Sequence, residues 1–304
     1  MPTLPASPSA SRSPWQRLYG TVLDRRRRRA AIEAATLPRP AISIGNLHWG
    51  GSGKTPTVVA VAECLRDRGS RLAVLSRGYR RSSSGTLVVS RGEGPEVAVE
   101  SAGDEPWLLA ERLPGVAVVV DGDRLAAART AVDLDPTVDL FLLDDAFSHV
   151  RVRRDLDLLV FPFVDPWGGG RLLPSGRLRE PLEASRHGDA AILTGVPADL
   201  GRADADEATR ELEGGLRRHG FEGPTFHARE RVRLEPETVP GTVLLVTGIA
   251  RPERVLRSAR ELGLDVVEHL AFPDHHSYPA SSLQRIHERR EDLAAEAIVT
   301  TSKD

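Results

Sequence analysis

The spacing of apolar positions changes character along this chain. Between Trp15 and Arg29 it is helical: Trp15, Leu18, Tyr19, Val22 and Leu23 fall at i, i+3, i+4, i+7 and i+8, on one helix face. From Ala41 the apolar residues instead form short unbroken runs. AISIG (41–45), LAVLS (72–76), GVAVVVDGD (115–123), VDLFLLDD (138–145) and DLLVFPF (157–163) read as strands without alternation, so both sheet faces are covered. Helices intervene: one from Thr55 to Arg68, with Pro56 in its first turn and Gly69 closing it, and others at 105–112 and 125–132. Strands alternating with helices predict a parallel sheet flanked on both faces. Runs at 190–195, 242–248, 264–272 and 297–301 predict a second, smaller α/β unit beginning near 182. The expected organisation is a loose tail and amphipathic helix over 1–36, a core over 37–181 and a second unit over 182–304. The Gly-, Pro- and Arg-rich segment 164–181 reads as a hinge between units or as a flap over an active site.

Composition narrows this picture. The 304 residues suffice for two cores, and 40% hydrophobic with 28% charged residues is ordinary for a folded chain. A net charge of −2 gives no global field to gather nucleic acid, and none is expected as a partner. The single cysteine, Cys64, excludes an internal disulfide; on its helix it reads as a core residue, not a nucleophile. No apolar run approaches the roughly 18 residues of a membrane-spanning helix. Residues 1–14 lack the apolar segment of a secretory signal. The stripe at 15–23 precedes five arginines, Arg25 to Arg29. Trp and Tyr beside clustered Arg suit a lipid surface, or a helix packed on the domain with a solvated basic end.

The segment NLHWGGSGKTP (46–56) falls between a strand and a helix, where a phosphate cradle belongs. Such a cradle needs inward-pointing amides, glycines where side chains would clash, a lysine for the β/γ phosphates and a hydroxyl for Mg²⁺. Gly50, Gly51 and Gly53 supply the open backbone, Lys54 the charge and Thr55 the hydroxyl. His48 occupies the place of the first glycine in the strict pattern. The strand at 138–143 ends in Asp144 and Asp145, placed to hold Mg²⁺ beside such a loop or to cap the turn. Trp49 stands where deviant-Walker ATPases carry lysine, and no N-K-x-D base reader of a GTPase is present.

Several motifs then occur in register: GNLHWGGSGKTP (45–56), SRGY (76–79), GDEP (103–106), DDAFSH (144–149), LLPSGRLREP (172–181), VTGIARPER (246–254), FPDHHSY (272–278) and TTSKD (300–304). Together they resemble the tetraacyldisaccharide 4'-kinase family, the lipid A 4'-kinases of Gram-negative bacteria, over nearly the whole chain from Trp15. The resemblance implies a P-loop NTPase-like fold, ATP and Mg²⁺ as cofactors, and γ-phosphoryl transfer to the 4'-hydroxyl of a tetraacylated glucosamine disaccharide 1-phosphate. It also implies a peripheral, monotopic site of work on the cytoplasmic face of the inner membrane, and no protein partner. It favours the membrane-surface reading of the first helix.

Residue by residue, the resemblance implies nucleotide binding by His48, Trp49, Gly50, Gly51, Ser52, Gly53, Lys54 and Thr55, and metal binding by Thr55, Asp144 and Asp145. It points to Asp104 as proton acceptor with His275 as its partner, at a cleft between the units. Read from the residues alone, Asp104 is an N-cap of the helix at 105–112, and His275 with His276 is part of a turn or an adventitious metal pair. Arg77 and Arg124 match family positions and are expected to meet phosphoryl oxygens or the acceptor's 1-phosphate, or else to form surface salt bridges. Arg177 and Arg179 are expected at lipid phosphates. Ala146, Ser148 and Arg177 depart from the glycine, glutamine and proline usual at these positions, and family members generally run on past the motif at 300–304. A P-loop ATPase switch acting on a protein partner is the competing expectation.

Overall fold

The computed structural model describes residues 4–5, 14–229, 232, 234–237, 241–249, 252–274, 276–302 and 304, and within the first helix leaves the side chains of 14–18, 26, 28 and 31 aside. In chain order the first compact unit, Met1–Glu230, contains α1 (Pro14–Glu33), β1 (Ala41–Gly45), α2 (Lys54–Arg66), β2 (Leu72–Ser76), β3 (Leu87–Ser90), α3 (Val99–Ala102), α4 (Asp104–Arg112) and β4 (Ala117–Val120). It continues with α5 (Arg124–Leu134), β5 (Leu140–Asp144), β6 (Leu156–Pro162), β7 (Ala190–Val196), α6 (Arg202–Arg217) and β8 (Thr225–Arg229). The second unit, Arg231–Asp304, contains β9 (Thr242–Thr247), α7 (Pro252–Glu261), β10 (Asp265–Ala271), α8 (Ala280–Asp292) and β11 (Ala297–Val299).

The first unit is built on an eight-stranded sheet of order β3-β4-β2-β5-β1-β6-β7-β8. All neighbours are parallel except β3, which runs antiparallel to β4 at the edge. The unbroken apolar runs have the predicted cause. Leu72 and Val74 of β2 face one core with Val58 and Ala62 of α2 and Leu109 of α4, while Ala73 and Leu75 face another with Ala127, Ala128 and Ala131 of α5. A strand covered on both sides has no position left for a polar residue.

Four expectations need correction. The boundary near 182 falls elsewhere: β7 and β8 extend the first sheet, so the first compact unit runs to Glu230. The segment 164–181 is therefore not a hinge between units. It folds back within the first unit, with Trp167 3% exposed and its ring seated against Gly215 of α6. Of the tail expected to be loose, Leu4 is buried and its amide donates to Glu211 Oε2 at 2.8 Å, while residues 1–3 and 6–13 lie outside the described residues. Cys64 is exposed rather than in the core, because α2 buries the face bearing Thr57, Val58 and Ala62.

The second unit is a three-stranded parallel sheet of order β10-β9-β11. Leu244 and Val246 of β9 pack with Ile286 of α8 and Ala295.

Candidate active site

The carboxyl ends of adjacent parallel strands collect the candidate residues, as open α/β sheets do. The register pairs Ile44 with Asp144 and Leu75 with Leu143, so the loop after β1, the acids ending β5 and the SRGY turn after β2 are side by side.

The loop after β1 is shaped by two left-handed glycines, Gly50 at φ 92° and Gly53 at φ 82°, a region costly for any residue with a Cβ. A Cβ on Gly53 would also lie 3.0 Å from Cβ and Oγ1 of Thr194. That closeness lets Thr194 Oγ1 reach the Ser52 carbonyl at 2.7 Å. Asn46 Nδ2 donates to Ser52 Oγ beneath the loop. Gly53 gives α2 no side-chain cap, which leaves its first-turn amides without a side-chain acceptor. Thr55, in that first turn, is half-buried, and Gly51 faces open space.

His48 accounts for the missing first glycine. Its side chain is buried, 5.9 Å from Phe161 in an edge-on contact, and Nε2 donates to the Pro166 carbonyl at 2.8 Å. Burial lowers its pKa to about 4, so the ring is neutral. The side chain at 48 is thus a wall of the loop. Trp49, by contrast, is exposed, with its amide held by the Arg177 carbonyl at 2.7 Å.

The segment 164–181 acts as a strap along this loop. Leu178 bridges antiparallel to His48, and the Arg179 amide donates to the Leu47 carbonyl at 2.8 Å. Arg177 Nη2 lies 3.7 Å from where a Cβ of Gly50 would be. Arg179 differs from its expected role at lipid phosphates. Its guanidinium forks onto both carboxylate oxygens of Asp145 and donates to the Asn46 carbonyl at 3.2 and 3.1 Å. Arg177, two residues earlier, instead lies near Asp165, with Nη1 3.7 Å from Oδ2.

The acids have opposite electrostatics. Asp145 is at φ 49°, with Lys54 Nζ 3.7 Å from Oδ1. Burial acts to raise its pKa, but Lys54 and Arg179 outweigh that and bring it to about 2. Asp144 is fully buried; burial first, then the charges of Glu105 and Asp145, push it up to about 7. Its Oδ2 accepts from Ser76 Oγ at 2.9 Å, whereas Oδ1 has no hydrogen-bond partner among the described residues. That orphaned oxygen beside a lysine, a carboxylate and a threonine-bearing helix start fits a hard divalent cation, which prefers oxygen donors. Among the described residues no cluster of three or more His, Cys, Asp or Glu side chains forms a metal cage. Mg²⁺ requires none, because it is held by one or two carboxylates together with phosphates and water.

Arg124 begins α5 behind this pair. It is 1% exposed and approaches the carbonyls of Asp121 and Asp144, so the surface salt bridge considered for it does not form. Burial lowers its pKa to about 10. Arg77 is exposed at the end of β2. Asp104 is the first residue of α4 and not its cap, which is Gly103. A Cβ on Gly103 would lie 2.9 Å from the Tyr79 carbonyl and 3.5 Å from Gly78 Cα, so the GDEP turn rests directly on SRGY. His275 lies outside the described residues. The geometry adds residues not singled out for the site in the sequence: Ser76, Glu105, Arg179 and Glu180. Each sits inside a motif, next to a residue whose chemistry was easier to read.

A phosphate loop after the first strand of a parallel sheet, with an acid pair on the adjacent strand, defines a P-loop nucleotide-binding protein of the kinase type. A family model described as tetraacyldisaccharide-1-P 4'-kinase, LpxK, matches residues 10–304, and the chain belongs to that family. It is 40% identical over 276 residues to the tetraacyldisaccharide 4'-kinase of Pelobacter propionicus, covering 90% of this chain and 75% of that one. It is 39% identical over 305 residues to that of Anaeromyxobacter dehalogenans strain 2CP-1, covering 94% and 76%. The crystal structure of LpxK from Aquifex aeolicus in complex with ATP superposes with a TM-score of 0.73 at 33% identity, covering 96% of this chain and 87% of that one.

Proposed function

We propose that this chain transfers the γ-phosphoryl group of ATP to the 4'-hydroxyl of a tetraacylated glucosamine disaccharide 1-phosphate in lipid A assembly. The observation that carries this is the strapped loop, with Lys54 and Asp145 ion-paired at its floor, in a member of the 4'-kinase family.

Phosphoryl transfer asks a protein to position two reactants and to balance charge. The amides of 50–55 and the Lys54 ammonium bind the β and γ phosphates. Thr55, Asp144 and Asp145 would hold Mg²⁺, which would supply positive charge to offset that of the phosphates. Asp104, at the edge of the site on α4, takes the proton of the acceptor hydroxyl. Arg77, exposed beside it, binds phosphoryl oxygens or the acceptor's 1-phosphate. Arg124, being buried, braces the end of β5.

The place of work is the inner-membrane surface, with α1 as the contact. Tyr19 is 39% and Val22 53% exposed on that helix, and Arg25 and Arg29 are also exposed. Apolar side chains beside arginines suit the headgroup region of an anionic bilayer. Among the described residues no helix is long and apolar enough to cross a membrane.

The test is incubation of the protein with labelled ATP, Mg²⁺ and the disaccharide 1-phosphate in mixed micelles, with analysis of the product. Label at the 4' position is the expected result. Release of free phosphate without labelled glycolipid, stimulated by a protein, would replace this reading with that of an ATPase switch.

A further inference from the structure

Arg25, Arg27 and Arg29 of α1 do not share one environment: the first and last are exposed. Arg27 turns inward: its side chain is 12% exposed, and Nη2 lies 2.8 Å from Glu180 Oε2 and 3.2 Å from the Phe147 carbonyl. The guanidinium carbon stands 4.3 Å above the Phe147 ring centroid, within cation–π range. The other oxygen of Glu180 accepts from Ser148 Oγ. Glu180 follows Arg179, whose fork grips Asp145. Two consecutive strap residues therefore clasp the turn 145–148 from two sides, one through Asp145 and one through Ser148. Arg27 completes the second clasp. Another ion pair of α1, Asp24 with Arg186, is 36% and 34% exposed and weak by comparison.

We propose that Arg27 is a positioning residue for the acid-pair turn, so that the helix assigned to the membrane surface also sets the geometry of Asp145 and Lys54. This rests on the reading of the site given above. Without Arg27 the buried Glu180 carboxylate keeps, among the described residues, the Ser148 hydroxyl. A charge so placed draws in water or turns outward. Either response loosens the strap where Arg179 meets Asp145.

The test compares the full chain with R27M, R27K, E180Q and the R27M/E180Q double variant in mixed micelles. R27M is expected to lower kcat about tenfold with the acceptor KM changed less than about twofold, because a positioning defect acts on the reaction step. R27K, which keeps the charge, is expected to recover most of that loss. The double variant is expected to be no slower than R27M by more than about twofold, since both substitutions break one unit. Amide hydrogen exchange at 145–149 is expected to be faster in R27M and E180Q, and this readout needs no turnover. Unchanged kcat and exchange in R27M, or a rise in acceptor KM and weaker vesicle binding with kcat intact, would overturn the proposal and make Arg27 a lipid contact. If R27M does not fold, E180Q decides: turnover and exchange at 145–149 both equal to wild type overturn the proposal. A wild-type protein that labels no glycolipid would refute the kinase reading alone, and the exchange comparison would still decide the role of Arg27.

Discussion

Gly45 and Phe147 touch backbone to backbone: a Cβ placed on Gly45 would lie 2.4 Å from Phe147 Cβ and 2.9 Å from its amide nitrogen. The last residue of β1 and the turn after the acid pair therefore share one space. The phosphate loop and the acid pair are fixed relative to each other by the lack of a side chain at 45.

Gly45→Ala is the first prediction. A methyl group here meets backbone, which cannot rotate away, so the turn must move. The expected cost is about 1–3 kcal/mol of stability from overpacking, accompanied by lower turnover. Denaturant unfolding and a transfer assay check both. An alanine variant as stable and active as wild type would show that the contact yields freely.

Lys54→Ala should abolish transfer and leave the fold intact, since among the described residues Lys54 forms an ion pair with Asp145, which keeps Arg179 as a partner. Gly53→Ala should weaken ATP binding for a different reason, with about 1–2 kcal/mol of left-handed strain added to the Thr194 clash. Calorimetric titration with nucleotide separates these effects from global unfolding.

The strands and the loop were legible because their chemistry is local. Apolar runs named β2, β4 and β5, and Gly50 to Thr55 declared a phosphate site. What was hidden depended on orientation. β8 reads TFHAR, with Phe226 exposed at the sheet edge, and offers no apolar run. Without it, and with a long Gly- and Pro-rich segment before β7, the sheet seemed to end at β6. The arginines of α1 are identical in sequence, and the rotation of the helix alone turns Arg27 inward. Arg179 was visible, but its partner Asp145 lies 34 positions away.

Asp144→Asn gives a signed pH test. The folded pKa of about 7 exceeds the open-chain value of 3.8, so the native state holds a proton that the unfolded chain has lost in that window. The contribution of Asp144 to stability is full below about 3.8 and is lost as pH rises through about 7. The asparagine variant should melt above wild type at pH 8, with the gap closing towards pH 5, while transfer is lost. A lower melting point at pH 8 would contradict the burial argument.

His48→Gln carries the opposite sign. The folded pKa of about 4 lies below the open-chain 6.5, so the contribution of His48 is present above 6.5 and lost as pH falls through 4. The glutamine amide can still donate to Pro166. The difference in melting temperature between wild type and variant should therefore shrink as pH falls from 6.5 to 4. His149, also lowered to about 4, is common to both proteins and cancels.

Tyr19→Ser combined with Val22→Ser addresses the membrane contact and leaves Arg27 in place. Removing two exposed apolar side chains should weaken co-sedimentation with anionic vesicles roughly tenfold and leave nucleotide affinity unchanged. Equal sedimentation would mean that α1 does not lie on the lipid.

The strap also sets an order of events during synthesis. Arg179 closes on Asn46 from 133 positions further along the chain, so the ribosome releases the glycine loop long before the segment that seals it. Until then the nascent chain carries a cradle without its clasp. The loop is thus clasped only once the chain has grown past β6 and most of its first unit is out.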